Sequence, residues 1–257
     1  MKALIILSVV LFVLPVGAIL IAALSKLQGD RSWANFGLQN FHTIFFKTDE
    51  TYRAIGNSLY LATAAGVICS LLGYFLSQSG KKLSSPLNKI KEAFVAIPYA
   101  IPGTVLALSF ILTTLSLRLP LYNTLGIILA AYIAKFLNFS YRIVNDGVSQ
   151  VDQSLIDAAH VAGANSWQVF LRIWIPILRP FLMASFFLVF MPAFSELTMS
   201  VLLTGPGNET IGTLIFQLQE YGDASGGGAV VLAFCVLMLI ISVNALLKIT
   251  TKGKYGL

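Results

Sequence analysis

Apolar runs about twenty residues long alternate with shorter polar stretches along this chain, and that alternation predicts six helices. The runs are Ala3 to Leu24, Ser58 to Leu76, Ala93 to Leu117, Leu121 to Tyr141, Phe181 to Leu203 and Ala229 to Leu247. Roughly 20 consecutive apolar residues cross the hydrocarbon core of a bilayer as a helix. Lipid offers no partner to an unpaired backbone group, and the strict alternation of a barrel strand is missing, so every span reads as helical. The expected fold is therefore an all-α polytopic membrane protein with about six transmembrane helices. No linker or composition break interrupts it, so residues 1–257 read as one transmembrane domain.

Composition strengthens this picture. Hydrophobic residues make up 57% of the chain and charged residues only 11%, against roughly 25% charged in an ordinary soluble domain. The net charge of +6 would suggest nucleic acid in a soluble protein, but here the basic residues gather at the ends of apolar runs, and no nucleic-acid partner is expected. With the N-terminus inside, Lys2, Lys81, Lys82, Lys89, Lys91, Arg142, Arg172, Arg179, Lys248, Lys252 and Lys254 are cytoplasmic. They outnumber Lys26, Arg31, Lys47, Arg53 and Arg118 on the other side, which places both termini in the cytoplasm. The first run is too long for a signal-peptide core and lacks a small-residue cleavage site, so it is read as a helix of the mature protein. Cys69 and Cys235 lie inside apolar runs without metal-ligand or disulfide spacing and read as packing residues.

The cytoplasmic loop of about 143–178 carries the most specific signal. Ser154 followed by Asp157 reads as a capping box, Ala158, Ala159 and Ala162 favour helix, and Gly163 is placed to end it. Ser166 can cap a second helix that holds Val169, Phe170 and Ile173 and runs into Pro176 and Pro180. This stretch resembles the EAA signature of binding-protein-dependent ABC importer permeases: Glu-Ala-Ala, three residues, Gly, nine residues, then Ile-x-Leu-Pro. Asp157-Ala158-Ala159, Gly163 and Ile173-x-Ile175-Pro176 fall at those spacings, with Asp replacing Glu and Ile175 replacing Leu. Asn35 to Phe41 and Asn57-Ser58-Leu59 are similar to the family's entry to its second helix, and six spans suit its type I architecture.

The resemblance implies that Asp157, Ala158, Ala159, Gly163, Ile173, Ile175 and Pro176 form a coupling element that docks on an ATPase. It also implies the partners: two ABC ATPase subunits, a second copy of the permease or a homologue, and an extracytoplasmic solute-binding protein, all around a bacterial inner membrane whose lipid surrounds the spans. The chain has no G-x-x-x-x-G-K-[ST] phosphate loop, and Gly226-Gly227-Gly228 is followed by no Lys, so nucleotide binds elsewhere and that glycine run is read as a close-packing device. The permease itself is expected to be no enzyme and to hold no cofactor.

Candidate pathway residues come from the spans. Lys135 and Glu196 are ionisable at membrane depth, where each would cost about 2.5 to 3.5 kcal/mol if it faced lipid. An ideal helical rise separates them by about 9 Å in depth, close enough for long side chains to meet in part. Both a structural ion pair and a place in the solute pathway fit. Pro98, Pro102 and Gly103 in the third span, and Pro192 in the fifth, loosen the backbone at membrane depth and are candidates for a gate. Beyond the fifth span, Asn208 can cap a helix with an apolar stripe of Ile211, Leu214, Ile215 and Leu218 at the extracytoplasmic surface.

The function read from these features is the membrane-spanning permease subunit of an ATP-driven, binding-protein-dependent importer working by alternating access. Two other classes fit less well. An ion-coupled secondary transporter usually shows paired inverted repeats, which are not visible here. An intramembrane enzyme needs a catalytic constellation, but His42 and His160 stand isolated. Glu196-Leu197, then Leu202 to Gly207, then Tyr221-Gly222-Asp223 resemble the ferric-iron branch, making iron the first substrate expectation. Polyamine, phosphonate, sulfate and thiamine branches are the alternatives.

Overall fold

Helices supply almost all the regular structure in the computed structural model, which describes residues 2–26, 30, 32–82, 84–222 and 227–250. Arg31, Lys252 and Lys254 of the charge pattern, Asp223 of the iron-like stretch and Gly226 of the glycine run lie outside the described residues. In chain order the helices are α1 (Lys2–Leu24), α2 (Gln39–Phe46), α3 (Glu50–Lys82), α4 (Ser85–Ala100), α5 (Gly103–Ser116), α6 (Leu125–Ser149), α7 (Gln153–Val161), α8 (Ser166–Val169), α9 (Ile175–Phe194), α10 (Ser200–Leu203), α11 (Ile211–Tyr221) and α12 (Gly227–Thr250). Among the described residues, four helical stretches are long and apolar enough to cross a membrane: Glu50–Gly80, Leu125–Ser149, Ser166–Phe194 and Gly227–Ala245. The pair α4 and α5 makes a fifth, and Val9–Leu24 of α1 is a shorter apolar stretch.

Two of the expected spans are not continuous helices. The third, expected over Ala93 to Leu117, begins at Ser85 and bends by 106° between α4 and α5. Pro102 lacks an N–H and forces the residue before it out of the helical region, so Ile101 is extended at φ −73°, ψ 134°. The fifth, expected over Phe181 to Leu203, starts earlier and stops at Phe194, two residues after Pro192. A non-helical link then leads to the single turn of α10. The second span is also longer than its apolar run, because helical residues extend it to Glu50 and Lys82 at its polar ends.

The chain divides into two units, residues 1–58 with 204–257, and residues 59–203. In the first, Ala23, Ile44, Ala54, Leu214, Val231 and Leu232 form a buried cluster from α1, α2, α3, α11 and α12. Asn40 closes the end of α1 by donating to the carbonyls of Ala23 at 3.2 Å and Ser25 at 2.8 Å. A Cβ on Gly228 would come within 2.7 Å of Ile44, so the glycine run does serve close packing at that position. The apolar stripe of α11 packs inside this unit through Leu214, Ile215 and Leu218. Its cap is Thr210 in a box with Thr213, not Asn208, because Thr210 immediately precedes the first helical residue. Ser58 Oγ accepts the Ile211 N–H at 2.8 Å, and Arg53 meets Glu209 at 2.9 Å.

The second unit is built around α6 and α9. Small residues let its helices approach: the Ser70 and Ser185 hydroxyls meet at 2.7 Å, and a Cβ on Gly73 would lie 3.1 Å from the Ser140 backbone. Buried Cys69 packs here against the Ile133 carbonyl at 3.8 Å, and Cys235 of α12 is likewise a free thiol.

Candidate functional site

The connection between α6 and α9 forms a helix, a tight turn and a second helix. Asp152 caps α7, its carboxylate accepting the Ser154 N–H at 2.9 Å. This corrects the expectation that Ser154 is the cap: the helix begins two residues earlier, at Gln153. The backbone N–H of Ser154, with its side chain, holds the Asp152 carboxyl below the usual aspartate range. At the other end Gly163 takes φ +85°, Ala164 N–H donates to Ala159 O at 3.0 Å and Gly163 N–H to His160 O at 3.0 Å. That is a Schellman turn, which needs a residue free to adopt the left-handed region. Asn165, rather than Ser166, caps the next helix, in a reciprocal box with Gln168.

Downstream of α8 the helix widens into a π turn over Phe170–Trp174, with Ile175 N–H donating to Phe170 O. Pro176 explains it: its missing N–H leaves one turn of the ladder without a donor, and a π step absorbs the fault without breaking the helix. Ile156 and partly buried Ala159 anchor α7 on a cluster of Tyr74, Val144, Val148, Val169, Trp174 and Leu178, against which Ile173 also packs. Asp157 and Ala158 point away from this cluster and are exposed. Val161 is 90% exposed and Leu155 47%, so α7 shows a small apolar face to the outside of the unit. Among the described residues, Asp157 is held only by Gln153, which donates to it at 3.2 Å.

A second constellation lies where the two broken spans meet. Lys135 of α6 does not pair with Glu196; the ion pair recorded among the described residues is Arg53 with Glu209. Instead its ammonium donates to the carbonyls of Tyr99, at 3.1 Å, and Ile101. These carbonyls are the ones that the bend at Pro102 deprives of helical donors. A cation at the C-terminus of α4 also complements that helix's dipole. Glu196, 8% exposed, does the converse at the break after α9. Its Oε1 accepts the Thr198 hydroxyl at 2.6 Å and Met199 N–H at 2.8 Å, and its Oε2 accepts Ser200 N–H at 3.0 Å and the Ser200 hydroxyl at 2.8 Å. Because the Ser200 proton is given to Glu196, the buried Tyr132 hydroxyl donates to Ser200, at 2.6 Å.

The two breaks touch. A Cβ on Gly103 would collide with Thr198 and come within 3.3 Å of Met199, so only glycine lets the start of α5 sit against the link that Glu196 organises. The structure thus brings Pro102, Gly103, Lys135 and Glu196 into one neighbourhood, with Pro98 in the last turn of α4. Tyr132, Thr198 and Ser200 complete this neighbourhood and were not singled out from sequence. The signal for Ser200 was its place four residues after an ionisable residue in a Pro-interrupted span. The signal for Asn165 was the N-x-x-Q spacing to Gln168.

The family model described as "Binding-protein-dependent transport system inner membrane component" matches residues 62–253. A permease protein named for a 2-aminoethylphosphonate transport system, PhnV of Salmonella typhimurium, is 24% identical over 245 residues, covering 95% of this chain and 92% of that one. A permease named for ferric transport, FbpB of Haemophilus influenzae, is 26% identical over 208 residues, covering 74% of this chain and 33% of the relative. A permease named for sulfate transport in Prototheca wickerhamii is 27% identical, covering 73% of this chain and 80% of the relative. A bacterial alginate ABC transporter, solved in complex with a periplasmic protein carrying an alginate pentasaccharide, contains a chain of the same fold. It has a TM-score of 0.74 at 17% identity, covering 100% of this chain and 94% of that chain. A chain of the MetNI methionine ABC transporter in an inward-facing conformation gives 0.58 at 15% identity, covering 78% and 94%.

Proposed function

The chain belongs to the family of binding-protein-dependent transport system inner membrane components, and from that premise we propose that it carries a small solute across the membrane by alternating access, driven by ATPase subunits docked on α7. The family consists of transport subunits, and ATP hydrolysis belongs to a separate polypeptide. The observation that carries the reading is α7 itself: a helix pinned on one side to the second unit by Ile156 and Ala159, rigidly ended by the Gly163 turn, and bare on its other side at Asp157, Ala158 and Val161. An element so anchored and so exposed passes a displacement of its partner into α6 and α9. In this reading Ile173, Ile175 and Pro176 fix the base of the loop.

Both termini and α7 are then cytoplasmic, a side that the distribution of Lys and Arg supports. The assembly pairs two permeases, identical or homologous, with two ATPases and an extracytoplasmic binding protein. The meeting of the helix breaks at Gly103 is the proposed gate, with Pro98 and Pro102 allowing the bend and Lys135 and Glu196 holding its ends. Broken helices at membrane depth are a recurrent way of building solute pathways.

For the solute we propose a small oxyanion-bearing molecule. Relatives named for 2-aminoethylphosphonate, sulfate and molybdate or tungstate support this class. Ferric iron is the second reading, supported by a relative of which the chain covers 33%. The deciding experiment is uptake in proteoliposomes holding the permease and its ATPase. Uptake that needs ATP on the α7 side and binding protein on the other upholds the proposal, whereas uptake driven by an ion gradient without ATP removes it.

A further inference from the structure

Away from the coupling loop and the helix breaks, the second unit holds a cavity of about 570 Å³ between α4 and α6. Asn138, Tyr141, Arg142, Asn145 and Asp146 line it from α6. Their spacing of i, i+3, i+4, i+7 and i+8 makes one polar face over two turns of a helix that is otherwise a membrane span. Glu92 reaches the cavity from α4. Ala93 and Ala96 of α4 also line it, and their short side chains leave the space unfilled.

Asn138 is the telling residue. It is 7% exposed, lines the cavity, and its carboxamide has no hydrogen-bond partner among the described residues. Its polar atoms are not sealed off, so whatever pairs with them, water or a ligand, enters from the cavity. The charged residues of the lining form no ion pair with one another. Arg142 forms no ion pair among the described residues although Asp146 stands one turn on, and neither Glu92 nor Asp146 forms one. Glu92 Oε1 takes only the Asn88 amide at 3.0 Å and the Tyr141 hydroxyl at 3.4 Å.

Two carboxylates and one guanidinium around one space disfavour an isolated anion, and a molecule bearing both signs is the ligand that uses all three groups. An isolated anion would gain Arg142 but face two carboxylates, whereas an isolated cation would gain the carboxylates and leave Arg142 unused. The volume lies within the range of about 300–1,000 Å³ typical of small-molecule sites. We propose that this cavity binds a small zwitterion, with its oxyanion held by Arg142 and the Asn138 amide and its ammonium by Glu92 and Asp146. The site lies on the half of α6 that leads into α7. The inference rests on the transport reading only in naming the class of solute.

Calorimetric titration of the permease–ATPase complex in nanodiscs, without nucleotide or binding protein, tests it with three probes: 2-aminoethylphosphonate, ethylphosphonate and ethylammonium. The zwitterion should bind, and each half should bind at least about tenfold more weakly. Asn138→Ala should weaken the zwitterion about tenfold. Arg142→Gln should remove its advantage over ethylammonium, and Glu92→Gln its advantage over ethylphosphonate. Arg142 and Glu92 are exposed, so these two variants keep the test decisive if Asn138→Ala fails to assemble. No heat with the zwitterion, or equal binding of ethylphosphonate, overturns the assignment, as does indifference to both charge variants. If ATP-dependent uptake holds while the zwitterion does not bind, the cavity assignment fails alone. Binding with the expected variant pattern but no ATP-dependent uptake sinks the transport reading and leaves the site.

Discussion

The coupling loop and the meeting of the helix breaks are both made of helix ends, yet they spend their polar residues in opposite ways. In the loop, the ends of α7 are closed by local partners two to five residues away, Asp152 with Ser154 and Ala164 with Ala159. The outward side chains stay uncommitted. At the breaks, Lys135 and Glu196 reach backbone groups and hydroxyls at helix ends and in the links beside them, and little of either is left over. Cheap local closure leaves an exposed face free to meet a partner, whereas a break in an apolar surrounding takes up the whole charge merely to exist. Change on the first should therefore be felt in function before stability, and change at the second in stability before function.

The largest effect should come from Val161→Asp. Val161 is 90% exposed and touches nothing that a carboxylate would disturb, so unfolding in mixed micelles should be unchanged. Placing a charge in an apolar contact costs several kcal/mol, and ATP-driven uptake should fall about a hundredfold or more. Normal uptake would mean that α7 is not the coupled face, and the contrast between the two regions would go with it.

Glu196→Ala comes next and should act the other way. It strands two backbone N–H groups and two hydroxyls in a nearly dry place, and the loss should be about 3 kcal/mol or more in reversible unfolding. Glu196→Gln retains one acceptor oxygen and should cost about half as much. If Glu196→Gln also abolishes uptake at full folding, the carboxylate does more than cap, and its place in the pathway is strengthened. Lys135→Met, which leaves the Tyr99 and Ile101 carbonyls without their donor, should cost about 2 kcal/mol by the same measurement. A null result there would mean that water closes the bend.

What was legible in the sequence follows the same division. The unbroken spans and the Gly163 turn could be read because they depend on local spacing and composition. The bend at Pro102 was flagged as loosened backbone but not as a 106° break, since a proline is compatible with either until the partners of its freed carbonyls are known. Lys135, which supplies that partner, and Glu196, which serves the N–H groups of the other break, were found as charges in apolar runs. Their mutual pairing was an open reading because depth along two separate helices says nothing about rotation around them. The caps at Asp152, Asn165 and Thr210 were each misplaced by one or two residues, because Ser, Thr, Asn and Asp compete at neighbouring positions for the same role. The Asn138 cavity was legible only as a polar stripe on one face of α6, a pattern that α4 alone turns into a site.

The smallest expected effect sharpens the contrast from the loop side. Asp152 is a charged cap held below its ordinary pKa of 3.8 by the Ser154 N–H, so the cap stabilises α7 more when ionised. A group whose folded pKa is depressed contributes stability that is complete above its unfolded value and disappears as pH falls through the folded one. Hydrogen-exchange protection at Ser154, corrected for intrinsic rates, should therefore be flat from neutrality down to about pH 5 and decline below pH 4. Asp152→Asn should keep the cap geometry at neutral pH and remove that decline, because asparagine caps without titrating. Global unfolding should barely register either change, since the end of α7 is exposed and screened by water and salt. A loss of Ser154 protection that carried the core of α6 with it would show that the loop is not locally closed, and the two regions would then be one cooperative element.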